Sequence, residues 1–315
     1  MSSHLRHTLG TGIVAILAIG SLSFAQPSAP TNSLPNPYRS IENWGTLPQG
    51  RAWGSTSAVT IDPDGTTVWV AERCGESRPP SRVDPTQPFG CDGSNLDPIL
   101  KFDTSGKLLK SFGAGLLLFP HGIHLDRDGN VWVVDGLGRG TKGHQVFKFS
   151  PDGKLLMTLG KQNTPGSGTD QFNAPSAVVT APNGDIFVAD GHGGNTNARI
   201  MKFAKDGTFI KTWGKKGSGP GELDVPHTIA MDSQGRLFVG DRQNNRIQIF
   251  DQEGKFLDQW TQFSHERRLH RCQGQHLCRR LRIRVRVQEP RWLDTRHPGR
   301  QRQRRFADGI DPRPR

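Results

Sequence analysis

The chain has 315 residues and a formal net charge of +12. Residues 1–263 hold 25 basic and 24 acidic side chains, whereas residues 264–315 hold 16 arginines, no lysine and 5 acidic side chains. The body is therefore neutral, which excludes the specific nucleic-acid binder that the net charge alone would suggest.

The N-terminus carries Arg6 and His7, a short apolar run from Ile13 to Leu22, and Ser23-Phe24-Ala25 before Gln26. That layout predicts a secretory signal peptide over 1–25, cleaved to leave no stable membrane span. The run is shorter than the roughly 20 residues a spanning helix needs; an uncleaved anchor is the alternative. Residues 26–37, rich in Pro, Asn and Ser, read as a linker. A periplasmic or secreted location follows, and it permits disulfides. Cys74 and Cys91 flank a Pro- and Ser-rich insertion, which their pairing would close.

From residue 38 to 263 the chain repeats itself. Ser57–Asp62, Pro120–Asp126, Pro175–Val179 and Pro226–Asp232 each lead to a turn glycine, at 65, 129, 184 and 235. Each is followed by a second apolar run: Val68–Ala71, Val131–Asp135, Ile186–Asp190 and Leu237–Asp241. A third run ends on Phe102, Phe149, Phe203 or Phe250, and a fourth on Phe112, Leu159, Trp213 or Trp260. Alternating runs separated by turn residues specify short antiparallel strands. Four strands in a unit of roughly 50 residues make a propeller blade. The fold class is all-β: an incomplete β-propeller with four clear blades. Ile41–Gly45 reads as an N-terminal strand closing the ring. The Asp-x-Asp-Gly sequences at 62–65 and 126–129 read as hairpin turns rather than calcium loops.

First strands line the channel of a propeller, so His121 and His227, at the same repeat position, face one axis. Two imidazoles there suit a divalent metal such as zinc. Asp135, Asp190 and Asp241 close the second strands and read as turn-bonding groups. Arg73 and Arg242 lie at the channel mouth, where an arginine can hold a carboxylate. Loops beside them supply His144 and His192.

The repeats are of NHL type. FPHGIHLDRDGNVWVVDG, IFVADGHGGNTNARIMKF and VPHTIAMDSQGRLFVGDRQNNRIQIF resemble the core of peptidyl-α-hydroxyglycine α-amidating lyase, over roughly residues 50 to 263. The resemblance implies a propeller of the six-bladed type, holding zinc through three histidines and splitting a peptidyl-α-hydroxyglycine into a peptide amide and glyoxylate. His121 and His227 match two of those histidines. Arg73 and Arg242 match arginines near the substrate, and the Ile123 carbonyl matches a structural calcium site. His192 stands where the family has its active-site tyrosine and is a candidate base; the third zinc histidine has no counterpart. The competing expectation is a non-catalytic propeller binding a peptide, polymer or protein partner at its channel mouth; on either reading the expectation is a monomer with a peptide or small-molecule ligand at the channel.

After Phe263 the repeat stops, and an arginine-rich tail spans 264–315. A synonymous back-translation of Ser264–Arg286, shifted by one base, can restore a proline, a Val-x-x-Asp strand, a Gly-Asn turn and an Ala-Asp strand end. A one-base frameshift near codon 263 is the expectation; a genuine basic tail, disordered or bound to an anionic surface, is the alternative.

Overall fold

A computed structural model describes residues 40–63, 65–75 and 89–261, and the backbone of two short strands, 270–271 and 277–278. The predicted signal peptide, the linker and nearly all of the tail lie outside the described residues. Among the described residues there is no helix, and so none long and apolar enough to cross a membrane.

Four antiparallel four-stranded sheets follow one another in chain order. The first blade comprises β1 (Thr56–Ile61), β2 (Thr67–Glu72), β3 (Ile99–Asp103) and β4 (Leu108–Phe112). The second comprises β5 (Pro120–Leu125), β6 (Val131–Asp135), β7 (Gln145–Phe149) and β8 (Leu155–Leu159). The third comprises β9 (Pro175–Thr180), β10 (Ile186–Asp190), β11 (Arg199–Phe203) and β12 (Phe209–Trp213). The fourth comprises β13 (Pro226–Met231), β14 (Leu237–Asp241), β15 (Arg246–Phe250) and β16 (Phe256–Trp260). Strands pair in sequence order, and tight turns join the first strand to the second and the third to the fourth in every blade. Gly65 N–H donates to Asp62 O at 2.7 Å and Gly129 N–H to Asp126 O at 3.0 Å, so both Asp-x-Asp-Gly sequences are turns.

Blade packs on blade through one register. Three residues before the end of the first three second strands stands a large ring: Trp69, Trp132 and Phe187 are at most 1% exposed. Each sits in a core cluster with the next blade's second strand: Trp69 with Val131 and Val133, Trp132 with Ile186 and Val188, Phe187 with Leu237 and Val239. These dry seams, burying whole aromatic side chains, are the main source of stability.

Ile41–Gly45 forms no strand, a departure from the sequence expectation. Trp44 nevertheless packs on Phe102 with ring centroids 5.8 Å apart. Phe112 meets Phe149 at 5.2 Å and Trp213 meets Phe250 at 6.3 Å across successive blades. Trp44 thus takes the place that the end of a preceding blade's outer strand would fill. Strand pairing there is limited to one isolated bridge, Thr46 to Lys107.

Every second strand ends in a fully buried acid: Glu72, Asp135, Asp190 and Asp241. These acids tie down the loop entering their own blade. Asp135 accepts from Leu118 N–H and Phe119 N–H at 3.0 and 2.5 Å. Asp190 accepts from Asn173 N–H at 2.8 Å, and Asp241 from Asp224 N–H at 2.6 Å. The turn-bonding role expected of the aspartates is therefore joined by a second one. Arg199 and Arg246 stand opposite Asp190 and Asp241 in the ladder and pair with them at 2.9 and 2.8 Å. In the first blade Arg51 pairs with Glu72 instead.

The second blade lacks this cation, since Gln145 stands opposite Asp135. Burial pushes the Asp135 carboxyl up from 3.8 to about 7, against the two backbone donors. With the folded value raised, ionisation of Asp135 costs stability, fully above pH 7 and progressively less as pH falls towards 3.8. Asp135→Asn is expected to stabilise the fold by ~1–3 kcal/mol at pH 8, allowing for an imperfectly paired amide. Urea unfolding at pH 8 and pH 4 checks this: the gain should shrink on acidification, and a less stable variant at pH 8 would refute it.

Candidate metal centre

The first residues of the inner strands converge. After the opening proline of β5, β9 and β13 come His121, Ser176 and His227; Ser57 holds the equivalent place in β1. Ser57, His121 and Ser176 each reach for the next blade. Ser57 Oγ donates to Pro120 O at 2.7 Å, Ser176 Oγ donates to Pro226 O at 2.5 Å, and His121 Nδ1 lies 2.7 Å from Ser176 O. A carbonyl can only accept, so Nδ1 of His121 carries the proton and Nε2 keeps its lone pair. This is the arrangement by which an outer hydrogen bond fixes the tautomer of a metal-ligating histidine.

A third imidazole joins them. His192 lies with its ring centroid 4.5 Å from that of His121 and 5.1 Å from that of His227; the latter two are 4.8 Å apart. Donor atoms of the three lie within 4.8 Å of one another. Around tetrahedral zinc at about 2.0–2.1 Å, ligand nitrogens sit about 3.3 Å apart, a contraction that side-chain rotation covers.

His192 comes from the loop after β10 rather than from an inner strand. Gly191 has φ +145° there, and a Cβ on it would stand 1.8 Å from Asn197 O, so only glycine allows this close return. Thr196 Oγ1 accepts from the His192 and Gly193 N–H groups, both at 3.1 Å, and Arg242 Nη2 donates to His192 O at 3.1 Å. The loop is therefore pinned from both sides.

The NHL repeat family model matches residues 223–250, within the fourth blade and the loop before it. Peptidyl-glycine alpha-amidating monooxygenase A of Xenopus laevis is 43% identical over 50% of this chain and 17% of its own length. Peptidyl-alpha-hydroxyglycine alpha-amidating lyase 2 of Drosophila melanogaster is 31% identical over 71% of this chain and 54% of its own. NHL repeat-containing protein 3 of Homo sapiens is also 31% identical, over 71% of this chain and 60% of its own. The chain is an NHL-repeat propeller that resembles the amidating lyases. It spans less than two thirds of each of these relatives.

Electrostatics keep His121 and His227 neutral. Burial, followed by the nearby Arg73 and Arg242 charges, lowers His121 to about 4, even though its bond to Ser176 favours the protonated form. Burial, followed by His121 and Arg242, lowers His227 to about 3. Neutral imidazole is the ligating form, so both nitrogens compete with protons only in acid. Burial also lowers the Arg242 guanidinium from its ordinary value. Arg73 lies with its guanidinium carbon 3.6 Å from the centroid of the Phe119 ring, two residues before His121.

The remaining sequence candidates are placed elsewhere. His144 is buried, and its Nδ1 accepts from Ala174 N–H at 3.0 Å, a structural role outside the imidazole group. Ile123 stands opposite Val133 in the β5–β6 ladder and packs against the Trp69 cluster. Cys74 and Cys91 are joined by a disulfide. Among the described residues the third imidazole of the group, which the repeat register does not reveal, is His192, from the loop after β10.

Proposed function

We propose that this NHL propeller is a metal-dependent lyase acting on N-acyl-α-hydroxyglycines, exported to an oxidising compartment that maintains the Cys74–Cys91 bridge. The convergence of His121, His192 and His227, flanked by Arg73 and Arg242, carries this reading. The amidating names of two of its relatives supply the substrate class. Three imidazoles suit zinc, and a three-protein-ligand set leaves a position open for catalysis. When bound there, zinc supplies Lewis acidity that lowers the pKa of a carbinol hydroxyl.

The chain's own residues do the rest. The Ser176 carbonyl holds His121 with Nε2 towards the centre. Arg73 and Arg242 receive the carboxylate of the hydroxyglycine, offsetting two guanidinium charges that otherwise disfavour a dication. In the reaction the carbinol O–H and the C–N bond break, and the aldehyde C=O of glyoxylate forms. The departing amide nitrogen gains the proton, so atoms and charge balance without a redox partner. As a ligand, His192 is not the base that the sequence suggests.

Equimolar glyoxylate and benzamide from N-benzoyl-α-hydroxyglycine would support this function; a zinc-loaded chain that releases neither would refute it. Reciprocity between ligands adds a second expectation. Glyoxylate should tighten zinc binding by about 5- to 10-fold, measured by competition with a chelator, and an unchanged affinity would remove the carboxylate role of the arginines.

A further inference from the structure

We propose that Phe119 is a positioning residue that holds Arg73 beside the imidazole centre, and that the Cys74–Cys91 bridge secures this platform. The inference rests on the proposed carboxylate-binding role of Arg73 for its catalytic consequence, but not for its geometry. The Arg73 guanidinium carbon is 3.6 Å from the Phe119 ring centroid, and Nε donates to Pro120 O at 3.4 Å. The Phe119 ring also stacks on His121, with centroids 6.4 Å apart and planes 23° apart. One ring thus touches both the anion-holding arginine and a metal-ligand candidate.

The ring is itself held from the insertion. Phe89 stacks on it at 5.3 Å with planes 16° apart, and both are no more than 3% exposed. Cys91 N–H donates to Leu118 O at 2.7 Å. A Cβ on Gly90 would stand 2.0 Å from that same oxygen, so the docking is too close for any other residue. The disulfide ties this docked segment to Cys74, which follows Arg73 directly and has φ 51°. The bridge therefore connects the two ends of the stack. A purely space-filling residue at 119 needs only bulk; a guanidinium held over a ring needs a π face.

The test uses the zinc-loaded full chain with N-benzoyl-α-hydroxyglycine and with its carboxamide. Phe119→Leu should raise KM for the acid about tenfold, leave kcat within about twofold, and leave KM for the carboxamide unchanged. Phe119→Trp should restore the parent KM. A second arm needs no turnover: phenylglyoxal modification of Arg73, followed by peptide mapping. Modification should speed up severalfold in Phe119→Leu, and equally after native reduction and alkylation of the bridge. If Phe119→Leu does not fold, the reduced parent carries this arm. Equal Arg73 reactivity in the oxidised and reduced parent, or a tryptophan variant that behaves like leucine, overturns the proposal. A parent chain without turnover counts against the lyase reading alone, because the mapping arm still decides the position of Arg73.

Discussion

Replacing His121 with alanine is expected to weaken zinc binding by at least a hundredfold and to lower kcat/KM by about a thousandfold. The first magnitude follows from partners that merely orient a ligand, whose loss already costs up to about a hundredfold. The second follows from Lewis-acid stabilisation of several kcal/mol, at 1.36 kcal/mol per decade of rate. His121 has the more exacting role among the three imidazoles, since its tautomer is fixed by the Ser176 carbonyl at 2.7 Å. His192→Ala should show the same zinc defect. Had His192 served as a base, the variant would bind zinc normally and lose only kcat. Isothermal titration with zinc, alongside the rate assay, separates these outcomes.

Arg199→Met should cost about 3–5 kcal/mol of stability. Its Nε pairs with Asp190 at 2.9 Å, and its two terminal nitrogens donate to Ser167, Gly168 and Gln171 carbonyls at 2.7, 3.1 and 2.8 Å. The substitution leaves a fully buried carboxylate without its cation and three carbonyls without a donor. Burial already raises the Asp190 carboxyl from its ordinary value, against the Arg199 charge and the Asn197 and Asn173 bonds. Without Arg199 it rises further, so the destabilisation is fully present above the new value and recedes as pH falls through it. Adding Asp190→Asn should recover part of the loss by removing the unpaired charge. Urea unfolding of the two single variants and the double variant measures the coupling. Purely additive losses would mean that the pair contributes nothing.

The blades were legible because a propeller repeats one problem four times. Turn glycines at 65, 129, 184 and 235 and the ring positions Trp69, Trp132 and Phe187 recur at fixed places, so alignment within the chain exposes them. His121 and His227 were legible for the same reason, since inner strands carry the repeat register to the axis. His192 as a partner of those two was not. It sits in a loop, where sequence spacing does not say where a side chain lands. The signal available was glycine on both sides of it, at 191 and 193–194, which allows the sharp return. The Arg199–Asp190 and Arg246–Asp241 pairs depend on cross-strand register, which a linear reading does not resolve. The platform at Phe119 depends on an insertion folding back across a disulfide, a contact that no repeat period encodes.

X-ray absorption at the zinc edge of the zinc-loaded full chain tests the central claim most directly. One zinc per chain, bound by three imidazoles including that of His192, is the expected result, with the His192→Ala spectrum showing two. A spectrum with two imidazoles in the parent, unchanged in His192→Ala, would contradict a three-histidine centre.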